Sequence, residues 1–164
     1  MTARPRPGLT LAVAAAALTT PIAPPVAAAD EPLVEHCYTT ALTDEQVAAG
    51  DESEIDCFWV SPDEPPMQMR SGITFAIVYD TNQGGALLFV NSPAGVTSCT
   101  GGNAVFTGTG WDNRISSTEL AVCGAAKHHQ WSNFTGNNQL VTGPFYTVMT
   151  STMDNATSSI AYSP

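Results

Sequence analysis

Trp111-Asp112-Asn113-Arg114-Ile115-Ser116-Ser117 reads WDNRISS, and Met153-Asp154-Asn155-Ala156-Thr157-Ser158-Ser159 reads MDNATSS. Each run holds an apolar residue, Asp-Asn, two variable residues and Ser-Ser, and the second copy begins 42 residues after the first. A glycine corner precedes each copy, Asn82-Gln83-Gly84-Gly85 for the first and Asn133-Phe134-Thr135-Gly136 for the second. Each half therefore reads strand, corner, strand, loop, DNxxSS, strand, which describes two β units related by duplication.

The surrounding sequence agrees. Residues 73–79 (ITFAIVY) and 86–90 (ALLFV) are β-branched and aromatic runs on either side of a turn, the pattern of a hairpin. Residues 91–110 read as a long loop around a weak strand. Short strands are expected at 117–122, 140–142, 145–150 and 159–162, and helical periodicity is absent after residue 50. Many short strands with turns between them indicate a sandwich or barrel. Upstream, Thr43-Asp44-Glu45-Gln46 forms a capping box for one short helix that Gly50 can end. Residues 61–66 (SPDEPP) form a linker.

The chain has 164 residues, 43% apolar and 12% charged, with a formal charge of −10. That length allows one domain, with or without an appendage, and the apolar content excludes wholesale disorder. Five basic residues against fifteen acids exclude a nucleic-acid surface and an anionic-membrane surface, which need clustered Lys and Arg. Residues 1–29 read as a secretion signal peptide: Arg4 and Arg6, an apolar stretch at 9–18 too short to span a bilayer, three prolines, and Ala27-Ala28-Ala29 as the cleavage site. Removing them takes two arginines and no acid, which lowers the charge to −12. The expected product is a secreted monomer. Eleven of the fifteen acids lie between Asp30 and Glu64, so most of the charge falls outside the repeat.

Cys37, Cys57, Cys99 and Cys123 read as two disulfides in an exported chain. Three pairings are possible. Cys37–Cys57 with Cys99–Cys123 is preferred, because each pair lies within one composition zone. Each bond closes a loop of about 20–25 residues and contributes roughly 3 kcal/mol in the chain-entropy picture. Zinc favours CxxC-like spacing or clustered His, which neither pair shows.

DNxxSS repeated once per Greek key, downstream of a hairpin ending in Gly, resembles the microbial βγ-crystallin domains and their [N/D][N/D]xx[S/T]S calcium motif. It is also similar to secreted bacterial crystallin-like proteins grouped with a metalloproteinase-inhibitor family. The resemblance covers roughly residues 73–162. It implies an all-β, double Greek-key βγ-crystallin-like sandwich over residues 71–164, preceded by a short acidic extension at 30–70. It also implies two calcium sites and no enzymatic activity. Each site would take a backbone carbonyl from the first variable residue (Arg114 and Ala156) and a hydroxyl from the first serine (Ser116 and Ser158). An Asp or Asn side chain would cross from the other motif (Asp112–Asn113 or Asp154–Asn155), and a hairpin carbonyl near Tyr79 and Gln130 would complete each set. Ser117 and Ser159 would tie each loop to its own hairpin. These are the hard oxygen donors that calcium takes, six to eight at a time.

Two departures from the pattern bear on strength. The aromatic corner, Tyr-x4-Phe-x-Gly, has Val78 and Gln83 in the first copy and His129 in place of Tyr in the second. Arg114 puts a positive side chain beside a cation site, which lowers affinity. The motif can also act as a turn without metal, since Asn and Asp tolerate left-handed backbone and Ser caps amides; the carboxylate in each copy favours calcium. Adjacent His128 and His129 point to opposite faces of a strand and chelate poorly, and no nucleophile frame marks a hydrolase. Trp59, Trp111 and Trp131 can stack on sugars, although Trp111 reads better as an anchor for its loop. Asn133 and Asn155 each open a common glycosylation pattern. The second functional reading is inhibition of an extracellular protease through the loop tethered by Cys99. A toxin acting on a competitor's envelope rests on fold analogy alone.

Overall fold

A computed structural model describes residues 32–62, 72–81 and 84–164. The expected signal peptide, most of the linker and the hairpin-tip residues Asn82 and Gln83 lie outside the described residues. Ten strands and one short helix follow in order: β1 (Val34–Thr40), α1 (Asp44–Ala49), β2 (Asp56–Val60), β3 (Thr74–Thr81), β4 (Gly84–Asn91), β5 (Gly102–Val105), β6 (Ser117–Leu120), β7 (Ala125–His129), β8 (Asn138–Thr142), β9 (Tyr146–Val148) and β10 (Ser159–Ser163). They form two sheets, six strands in the order β2-β1-β4-β3-β6-β9 and four in the order β5-β10-β7-β8.

The two sheets enclose the core. Ala76 and Val78 on β3 and Ala86, Leu88 and Val90 on β4 alternate inward and are buried, the period-2 pattern of a half-buried strand. They meet Ala126, Val141 and Ile160 from the smaller sheet, with Phe75, Phe106, Trp111, Ile115 and Met153 filling the space between. Each half gives its third strand to the other sheet: β5 pairs with β10, and β9 pairs with β6. No helix among the described residues is long and apolar enough to cross a membrane.

The acidic stretch expected to precede the domain supplies two strands of its larger sheet. β1 runs parallel to β4, with Cys37 beside Leu88 and Tyr38 beside Phe89. Cys37 joins the core, and on the opposite face Tyr38 stacks on Phe89 at 5.0 Å. These contacts explain the attachment: the segment is acidic, yet the strand VEHCYTT buries four consecutive residues, His36 to Thr39, and so is covered on both faces. β7 (AAKHH) also forms where local preference for strand is weak. The repeat places β7 ahead of the second glycine corner, whereas β1 lies outside the repeat and carries no apolar run to mark it. The helix forms as expected: Thr43 Oγ1 accepts from the Gln46 amide at 3.3 Å, Gln46 Oε1 accepts from the Thr43 amide at 2.9 Å, and Gly50 ends it at φ 87°.

The disulfides join Cys37 to Cys57 and Cys99 to Cys123, the preferred pairing. The first links directly opposed residues of β1 and β2. Among the described residues β2 is an edge strand with β1 as its one sheet neighbour, so this bond reinforces the pairing that holds it. A Cys37→Ala/Cys57→Ala variant is expected to lose about 3 kcal/mol in urea unfolding. Hydrogen exchange should rise first in β2; unchanged protection there would contradict this account.

Candidate cation site

Two left-handed asparagines close the repeat. Asn113 has φ 55° and Asn155 φ 52°, a region that Asn enters more readily than most L residues. The turn carries each asparagine to the other copy. The Asn113 amide donates to the Thr157 carbonyl at 3.1 Å and the Asn155 amide to the Ile115 carbonyl at 3.0 Å. Ser158 Oγ lies 3.4 Å from Asn113 Oδ1, and Ser116 Oγ lies 3.4 Å from Asn155 Oδ1. Thus the first serine of each motif meets the asparagine of the other. The crossing groups are the asparagines. Asp154 Oδ1 accepts from its neighbour Asn155 Nδ2 at 3.3 Å, whereas Asp112 Oδ1 is buried without a hydrogen-bond partner.

The supporting bonds repeat with the same symmetry. Ser117 Oγ donates to the Thr81 carbonyl at 2.8 Å, and Ser159 Oγ to the Trp131 carbonyl at 2.7 Å, tying each loop to its own hairpin. The Ser116 amide donates to the Tyr79 carbonyl and the Ser158 amide to the His129 carbonyl, both at 2.9 Å. These bonds match Tyr79 with His129, Asp80 with Gln130, and Thr81 with Trp131.

Two expectations change. Tyr79 and Gln130 are not equivalent, and the Tyr79 carbonyl already serves Ser116; the counterpart of Gln130 is Asp80. The aromatic corner position of the first half belongs to Tyr79, not Val78, because that hairpin is one residue shorter. Gly85 follows Tyr79 by six residues, whereas Gly136 follows His129 by seven. Side chains confirm the match. Asp80 Oδ1 accepts from the Ala86 amide at 2.8 Å and Gln130 Oε1 from the Asn137 amide at 3.3 Å, each bracing its own hairpin. Gly85 (φ 68°) and Gly136 (φ 78°) pass so close that a Cβ would run into Asp80 or crowd Gln130.

The motif's arginine is held by two carboxylates and a ring. Arg114 Nη2 lies 2.8 Å from Glu35 Oε2 and 3.0 Å from Asp80 Oδ2, and the guanidinium sits 4.9 Å from the centroid of the buried Trp111 ring. Burial works against its charge, but bonds to the two carboxylates outweigh that and hold it charged above its usual range. Glu35 also lies near Cys37 and Cys57, all within 4.8 Å, but the sulfurs are joined and the carboxylate holds Arg114, so this group offers no metal site.

His128 and His129 part as expected of neighbours on a strand. His129 packs edge-on against Phe134 at 5.9 Å. His128 is fully buried, with Nε2 3.1 Å from Thr118 Oγ1 and Nδ1 3.5 Å from Thr157 Oγ1. By the repeat, these three match Val78, Ile160 and Ile115, so His128 and Thr157 of the second half with Thr118 of the first form a polar trio at positions whose counterparts are all aliphatic. Trp111 is buried, while Trp59 and Trp131 are exposed. Sequence reading missed Glu35, Asp80 and this trio; a one-residue gap between the hairpins would have revealed Asp80.

The converging groups are hard oxygens. Two oxygens 3.4 Å apart, each about 2.4 Å from a cation, subtend roughly 90° at it, which calcium's flexible coordination accepts. The unpartnered buried oxygen of Asp112 fits the same chemistry. The chain matches no family model, no curated protein and no solved structure.

Burial, and then the charge of His129, push His128 down to about 3. Between pH 6.5 and 3 the unfolded chain therefore binds a proton that the folded chain refuses, so stability falls with falling pH. The slope from this group approaches about 1.4 kcal/mol per pH unit. Urea titrations at pH 7 and pH 5 should show the drop, and a His128→Val variant should flatten it; an equal slope in both proteins would refute the assignment.

Proposed function

We propose that this chain is a secreted, calcium-binding protein of the double Greek-key, βγ-crystallin-like type, in which calcium stabilises the fold. The observation that carries the reading is the reciprocal pairing of Ser116 with Asn155 and Ser158 with Asn113. Each pair draws one oxygen from each half, so a cation held there ties the halves together. The exchange of β5 and β9 between sheets is consistent with two interlocked Greek keys. Two disulfides suit an oxidising compartment.

In this reading Ser116, Asn155 and the Arg114 and Asp80 carbonyls serve one site, and Ser158, Asn113 and the Ala156 and Gln130 carbonyls the other. A bound calcium would supply charge neutralisation and cross-linking, with no reaction. An ion bound only by the folded chain adds RT ln(1 + [Ca]/Kd) to stability. At 10 mM calcium and a Kd of about 10⁻⁴–10⁻³ M, that is about 1.4–2.7 kcal/mol per site.

The melting temperature should rise in 10 mM calcium over chelator. An Asn113→Gly/Asn155→Gly variant keeps the left-handed backbone accessible while removing both crossing oxygens, and its melting point should not respond to calcium. Equal melting of the unmodified protein in calcium and chelator, with a flat calorimetric titration, would overturn the reading.

A second reading, inhibition of an extracellular protease, draws on one loop. Ala94, Gly95, Thr97 and Ser98 are exposed, while Val96 packs on the core and Cys99 is bound to Cys123. A tethered, exposed segment is what a rigid inhibitory loop requires. Assays against secreted metalloproteases and serine proteases are expected to show inhibition that a Cys99→Ala/Cys123→Ala variant loses; full protease activity throughout would dismiss this reading.

A further inference from the structure

We infer that the two cation sites are unequal, and that Glu35, on the strand added ahead of the repeat, sets the affinity of the first. The inference rests on the calcium reading above. The two motifs differ most at the first variable position, Arg114 in one and Ala156 in the other. The backbone carbonyl there is a site ligand, so the guanidinium of Arg114 stays within one side-chain length of the first site. That lies inside the Debye length of about 8 Å at physiological salt, so its charge reaches the ion. The second site has no counterpart, because Ala156 carries no charge and Lys127, the other described cation, is exposed on β7.

The structure places two carboxylates on that guanidinium. Asp80 comes from the first hairpin and holds Oδ2 3.0 Å from Nη2 and 3.3 Å from Nε. Glu35 comes from β1 and lies 2.8 Å from Nη2. Its own backbone is fixed by pairing with Trp59 on β2. Asp80 belongs to the repeat and also braces the Ala86 amide, so it is committed to the hairpin. Glu35 is the separable part, supplied by a segment that neither motif needs for its loop. Its carboxylate offsets the arginine's repulsion and, with Asp80, fixes the guanidinium, which sits 4.9 Å from the Trp111 ring centroid. β1 thus acts as an electrostatic regulator of one site.

The order of affinities follows. Removing Glu35 leaves the arginine less compensated and weakens the first site. Removing Arg114 leaves two carboxylates beside that site and strengthens it. One unit charge acting on a divalent ion at this range changes affinity by roughly three- to fivefold. The second site should not change.

Calcium titration calorimetry on the full secreted chain tests this, with Ser116→Ala and Ser158→Ala assigning the two binding events. The expected order for the first site is Arg114→Ala tightest, then the unmodified chain, then Glu35→Gln, each step about three- to fivefold. Melting in chelator supplies a metal-free readout: Glu35→Gln should melt lower because a half-buried ion pair is lost, and Arg114→Ala lower still. Two sites of equal affinity in the unmodified protein, or a first-site affinity that ignores both substitutions, would overturn the inference while leaving calcium binding intact. Absence of any calcium heat would instead remove the functional reading beneath it. If Glu35→Gln fails to fold, Glu35→Asp, which shortens the reach and keeps the charge, is expected to give an intermediate first-site affinity; an unchanged value would also overturn the inference.

Discussion

The molecule depends on an exchange between its two halves. Asn113 and Asn155 turn left-handed and hand their amides to Thr157 and Ile115, while Ser158 and Ser116 meet the asparagine oxygens in return. Neither loop is complete without the other. Left-handed backbone is costly for an ordinary residue, and that cost is offset by bonds that exist only when both halves are in place. The same logic holds one level up, where each half lends its third strand to the opposite sheet. Local turn chemistry and global topology thus make the same demand, which is the consistency expected of a sequence with one folded state.

The two halves carry the same devices built from different residues. The Val78, Ile160 and Ile115 positions answer to His128, Thr118 and Thr157 in the other half. A buried imidazole held by two hydroxyls is satisfied but pH-sensitive, whereas its aliphatic counterpart is indifferent to protons. The hairpins differ by one residue, yet Asp80 and Gln130 do the same bracing with different side chains. Arginine and alanine at the first variable position mark the same difference, and the arginine is enclosed by carboxylates from two different elements.

The repeat made the core of this fold legible. Two DNxxSS motifs with glycine corners located the hairpins, the loops and the closing strands, and the capping box of Thr43 and Gln46 was readable residue by residue. The apolar runs at 73–79 and 86–90 each lie within or beside a strand, β3 at Thr74–Thr81 and β4 at Gly84–Asn91, and both strands extend past the runs into the turn. What escaped was non-local. β1 forms because β4 offers a free edge and Phe89 a surface for Tyr38, and nothing within VEHCYTT announces that partner. β7, which only the repeat places, is a strand because β8 and β10 flank it, despite Ala, Lys and His. The choice of Asn over Asp as the crossing side chain turned on backbone angle, which composition does not carry. Glu35 was invisible for the same reason as β1, since its role is defined by a residue 79 positions away.

β10 lies inside the smaller sheet, between β5 and β7. A ribosome makes it after both neighbours, so the edges of β5 and β7 that it joins stay unpaired until residues 159–163 arrive. Contacts that span so much sequence slow the search for the native state. Such exposed edges also invite pairing with other chains in the interval. The protein's most vulnerable moment is therefore its birth, and a chain cut before residue 159 would lose the centre of a sheet rather than a fringe.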